Sequence, residues 1–140
     1  MSTAYIAPSE EDIRDLLKTI SHIAVIGLSP KTSRPSHKVA AALQRFGYHI
    51  IPVRPAVDEV LGEKACAELA AVTGPIDLVD VFRASEYVSE IVDECIRLKI
   101  PAIWLQDGVI DQQAAARAQA AGIFVVMDRC IYRDYSNLMK

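Results

Sequence analysis

Short continuous apolar runs alternate along this chain with longer segments whose apolar residues recur every three or four positions. His22-Ile-Ala-Val-Ile-Gly27 is a run of the first kind, and it reads as a strand covered on both faces of a parallel sheet. Similar runs predict strands over 48–53, 76–82, 102–105 and 123–127. Between them, the helical rhythm predicts a helix capped by Ser36, with Val39, Leu43 and Phe46 facing inward and Gly47 as its stop. It also predicts a short helix over 64–72 and helices over 85–99 and 111–121. Ser9 followed by Glu10, Glu11 and Asp12 marks the start of a leading helix over 9–20, whose stripe is Ile13, Leu16, Leu17 and Ile20. Five strands alternating with helices predict an α/β fold: a doubly wound, five-stranded parallel sheet with helices on both faces. A ligand in such a sheet sits at the carboxyl ends of the strands where their order reverses, expected here at the first and fourth strands.

Composition narrows the class. With 140 residues, 51% hydrophobic and 24% charged, the chain has the makings of one globular domain spanning 1–140 rather than a disordered or repetitive protein. No apolar run reaches the roughly 18 residues that cross a bilayer, and residues 1–11 lack the blocks of an export signal, so a cytoplasmic protein without a membrane partner is expected. Cys66, Cys95 and Cys130 show neither zinc-site spacing nor disulfide-scaffold density; reduced thiols and no metal site are expected.

The net charge of −3 argues against nucleic acid as a partner. Its distribution is uneven. Residues 16–57 hold six cations (Lys18, Lys31, Arg34, Lys38, Arg45, Arg54) and no acid, so the remaining nine cations and all eighteen acids leave the rest at −9. An ordinary solvated face is one explanation; a pocket for a small, multiply charged anion is the other.

The loop after the first strand, Gly27-Leu-Ser-Pro-Lys-Thr-Ser-Arg-Pro-Ser36, has one glycine where dinucleotide-binding fingerprints have three, and it is not a Walker loop. It still supplies what a diphosphate requires: Gly27 for close backbone approach, hydroxyls on Ser29, Thr32, Ser33 and Ser36, cations on Lys31 and Arg34, and amides at a helix start beside Pro35. The second strand ends in Pro52-Val53-Arg54-Pro55, where NAD-binding domains place an acid for the ribose hydroxyls. Arg54 suits a phosphorylated ribose, found in NADP and in coenzyme A.

At this point the chain resembles the small stand-alone CoA-binding proteins related to the N-terminal domain of the succinyl-CoA synthetase alpha subunit. The resemblance rests on Gly27-Leu-Ser-Pro-Lys31 with Arg34-Pro-Ser36, Pro52-Val-Arg-Pro55, Val79-Asp-Val-Phe-Arg83, Trp104-Leu-Gln-Asp-Gly108 and Val126-Met-Asp-Arg-Cys130, each at a predicted strand end. It implies a single Rossmann-like domain binding coenzyme A, with the ADP part on the first two loops and pantetheine running toward the third and fourth. It implies no established reaction.

The later loops have matching chemistry. Phe82 offers cover for the adenine or pantetheine, or core packing, and Arg83 a phosphate contact or a helix cap. Trp104, Gln106 and Gly108 offer apolar cover, an amide for the pantetheine amides, and a closely approachable backbone, with burial in the core as the other reading of Trp104. Cys130 could face the CoA thiol, with Arg129 favouring its thiolate, or be a structural thiol. No acid in the basic stretch orients His37, so no catalytic set is expected. The expectation is a non-enzymatic binder of coenzyme A or a short acyl-CoA, serving as carrier, sensor or partner subunit. It would be a monomer or weak homodimer with a possible protein partner. The alternative is a small NADP-binding oxidoreductase or a regulatory subunit of an acyl-CoA-using enzyme.

Overall fold

In the computed structural model, which describes residues 4–140, Ser9 Oγ accepts from the Asp12 amide and opens α1 (Glu10–Thr19), as the acidic first turn predicted. The chain continues through β1 (His22–Ile26), α2 (Pro35–Arg45), β2 (His49–Val53), β3 (Glu59–Val60), β4 (Glu63–Lys64) and β5 (Leu78–Val81). It closes with α3 (Val88–Arg97), β6 (Ala102–Leu105), α4 (Gln112–Ala120), β7 (Phe124–Val126) and α5 (Ile131–Leu138).

The expected doubly wound α/β sheet is present: β2, β1, β5, β6 and β7 lie side by side in that order, all parallel. Both of its faces are covered, which is why its strands read as unbroken apolar runs. On one face, Ile13 of α1, Leu43 of α2 and Ile131 of α5 pack on Ile23, Val25 and Trp104. On the other, Val88 and Val92 of α3 and Ala114 and Ala118 of α4 pack on Ala24, Val79 and Ile103. Asp111 caps α4 with its side chain, accepting from the Ala114 amide. Among the described residues no helix is long and apolar enough to cross a membrane.

Three expectations change. The order reverses between β1 and β5, the first and third strands of the sheet rather than the first and fourth, because β5 takes the free edge of β1 directly. The helix expected over 64–72 is instead the short antiparallel β3–β4 pair followed by one 3-10 turn, Leu69–Ala71. Cys66 bridges Val53 in place of a helical hydrogen bond, so pairing to the edge of the sheet overrides local helix preference. The chain also ends in α5, which the strand-and-helix alternation did not include.

Candidate functional site

Gly27 leaves β1 with φ at +84°, and its amide donates to the Val53 carbonyl at 3.0 Å. A Cβ at this position would collide with the Phe82 carbonyl oxygen, so a side chain is excluded where the ends of β1 and β5 draw together. The following loop folds back on itself: the buried Ser29 amide donates to Ser36 Oγ at 3.0 Å, and Ser29 Oγ accepts from the Lys31 amide at 3.1 Å. This corrects the expected cap. Ser36 lies inside α2, which begins at Pro35 with Arg34 in the capping position and no side-chain cap bond; the Ser36 hydroxyl fastens the loop instead.

The loop and the start of α2 form one wall of a cavity of about 740 Å³ at the carboxyl ends of β1, β5 and β6. Gly27, Ser29, Lys31, Arg34, Pro35 and Ser36 all line it. So does Arg54, positioned by its amide donating to the Cys66 carbonyl (2.8 Å) while the Cys66 amide donates to Pro52 (2.9 Å). Three cations predicted from two loops thus share one hollow with a helix N-terminus. None of the three takes part in an ion pair among the described residues. Thr32 and Ser33 are exposed and lie outside the lining, and His37 borders a surface groove with Arg45 and Tyr132.

The opposite end of the cavity is formed by Phe82, Gln106, Val109 and Cys130. Gln106 is 5% exposed; its Oε1 accepts from the Ile131 amide at 3.2 Å, and its Nε2 donates to no protein group among the described residues. Asp107 also lines this end, where Arg133 grips it with bonds of 2.8 and 2.9 Å. Those bonds hold the Asp107 carboxyl below its usual range, and they neutralise it beside the cavity.

Val53 and Arg83 belong to an adjoining cavity of about 480 Å³ on the α3 side, which meets the first at Gly27 and Arg54. Arg83 is turned over the Tyr87 ring, 4.0 Å from its centroid, rather than toward Lys31 and Arg34. Trp104 is corrected: it lies in the core row Val25, Asp80, Trp104, Val126, fully buried, with its indole N–H donating to the Arg129 carbonyl at 2.8 Å. Gln106, two residues on and facing the same side, is the one that reaches the cavity. Gly108 sits in an exposed turn, its amide donating to Asp128, outside the lining. Arg129 does not serve Cys130; it is held by Asp134 at 2.6 and 2.9 Å and by Glu10 at 3.3 Å.

Pro30, Val39, Asp107 and Val109 line the cavity without having been expected as binding residues, Val39 having been read as core. Val39 was legible, since it lies three positions from Ser36 on one helix face. Asp80, one step below Phe82, is fully buried with both carboxylate oxygens unpartnered, and burial pushes its pKa well above the usual range. Among the described residues no group of three or more His, Cys, Asp or Glu is arranged to hold a metal.

Comparison with known proteins agrees with this architecture. YneT of Bacillus subtilis (strain 168) is 42% identical over 124 residues, covering 89% of this chain and 92% of that protein. A solved structure described as a hypothetical protein from Pyrococcus horikoshii OT3 is 32% identical, superposes with a TM-score of 0.91, and covers 95% of this chain and 94% of its own. The apo dinucleotide forming acetyl-coenzyme A synthetase 1 of Ca. Korarchaeum cryptofilum shares the fold at a TM-score of 0.67 and 20% identity, with 77% of this chain matching 26% of that one. The model of the CoA binding domain matches residues 21–136, and the chain therefore belongs to the CoA binding domain family.

Proposed function

We propose that the chain binds coenzyme A or a short acyl-CoA in the cavity between the starts of α2 and α5. It would act as a carrier, sensor or partner subunit without a reaction of its own. The observation that carries this reading is the convergence of Lys31, Arg34 and Arg54, unpaired, on one hollow at the reversal of strand order. In this reading the 3′-phosphate and diphosphate lie against these cations and the α2 N-terminus, where charge-assisted bonds contribute roughly 1.5–3 kcal/mol each. The pantetheine arm runs to the other end, past Phe82, and the Gln106 Nε2 hydrogens meet one of its amide carbonyls. A reaction is not part of the reading, since among the described residues the lining holds no histidine and its carboxylate, Asp107, is engaged by Arg133.

Arg54 also favours a second reading, because the 2′-phosphate of NADP would suit it equally. Thermal denaturation with coenzyme A, acetyl-CoA, NADP and NAD separates the two. Ligand at about 100 times its Kd stabilises the native state by roughly 2.7 kcal/mol. The expected result is a raised midpoint with coenzyme A and acetyl-CoA and none with NAD; a rise with NADP alone reverses the assignment.

A further inference from the structure

Of the three thiols, one lines the basic cavity. Cys95 is buried in the core, where burial pushes its thiol up to about 12, and Cys66 borders a separate groove along the β2 edge with His22 and His49. Cys130 is half-buried and lines the cavity at the start of α5, opposite Lys31 and Arg34. Next to it lies a second feature that asks for a ligand. Gln106 lines the cavity and is more than nine-tenths buried, its oxygen is used by the Ile131 amide, and its Nε2 has no protein partner among the described residues. Its Nε2 is therefore available to donate to an amide carbonyl of a ligand in the cavity. A ligand gripped by its phosphates at Lys31, Arg34 and Arg54 and by an amide at Gln106 therefore reaches the end of the cavity that Cys130 lines.

We propose that Cys130 is a thiol–disulfide exchange site that captures coenzyme A from its disulfide as a protein-bound mixed disulfide. This rests on the coenzyme A reading of the cavity. The Cys130 thiol loses its proton, and the thiolate attacks one sulfur of CoA disulfide. The Cys130–S–S–CoA bond forms as the CoA–S–S–CoA bond breaks, and the second coenzyme A departs as a thiolate that takes up the proton. The oxidising equivalent comes from the CoA disulfide and stays in the new bond. Holding the nucleotide in the cavity makes the exchange effectively intramolecular, which gives selectivity over small disulfides that the cations do not recognise.

The test incubates the reduced, full-length protein with CoA disulfide and, separately, with glutathione disulfide, then measures intact mass and a peptide map without reductant. Expected is one coenzyme A per chain, on Cys130, formed on the order of tenfold or more faster than the glutathione adduct. The adduct should be retained in Cys66→Ser, lost in Cys130→Ser and slowed by excess acetyl-CoA. Adducts on Cys66 in preference, or equal rates for the two disulfides, overturn the proposal. A calorimetric titration of reduced wild type with coenzyme A separates the two levels. Binding there without any adduct overturns the exchange site and leaves the coenzyme A reading standing, whereas no binding removes both.

Discussion

Single residues in this chain divide by how deep they sit along a strand. Trp104 and Gln106 face the same side of the sheet, yet one is core and the other reaches the cavity, because successive same-face positions step one layer toward the carboxyl edge. Asp80 and Phe82 repeat that relation, and Asp80 is the deeper one, a carboxyl with no partner. Burial raises its pKa in the folded state, so the native protein keeps this proton at pH values where the unfolded chain, near 3.9, has released it. Stability from this group is therefore complete below the unfolded pKa and declines as pH rises toward the folded one, by up to about 1.4 kcal/mol per pH unit. Asp80→Asn should flatten that decline, measured as the difference between the wild-type and variant denaturation midpoints from acid to neutral pH. Parallel curves would show that the carboxyl ionises without cost.

The loop from β1 into α2 is where local sequence and site geometry meet. Gly27, Ser29, Lys31 and Arg34 were singled out as suited to a phosphate because hydroxyls, cations and a helix start fell within a few positions of a strand end, and all four line the cavity. What could not be read was which serine did what. The spacing suggested Ser36 as a helix cap, but a hydroxyl within the first turn is free to reach back, and it takes the Ser29 amide. Ser36→Ala leaves that buried donor unpaired, at about 1–3 kcal/mol of stability. Coenzyme A affinity should fall as well, since Lys31 hangs from the same fold through Ser29 Oγ. Equilibrium denaturation and titration of the variant check both. Undiminished affinity at reduced stability would show that the loop's shape does not set the site.

Across the whole molecule, charge is partitioned: an acidic protein carries a basic third, and three of its six cations line one hollow. Such a field draws small polyanions and is weakened by salt, as the screening length falls from about 10 Å at 0.1 M to about 3 Å at 1 M. Coenzyme A affinity should therefore drop across that range more than that of dephospho-CoA, which lacks the 3′-phosphate. Arg54→Ala should shrink the gap between the two ligands. Equal salt slopes for both in the wild type would place the 3′-phosphate away from Arg54.

The alternation of elements and the basic stretch around the first two strand ends were legible because periodicity reports burial directly and like charges cluster in the chain before they cluster in space. The order of strands was not, since right-handed crossovers permit β1 to meet the third strand or the fourth, and that choice is made by long-range pairing of β1 with β5. The partners of Arg129 and the fates of Trp104 and the 64–72 segment depend likewise on what packs opposite: Asp134 and Glu10, the Arg129 carbonyl, and the edge of β2. Apart from the Arg129–Asp134 pair, five residues apart, those contacts join residues distant along the chain, so no local pattern carries them.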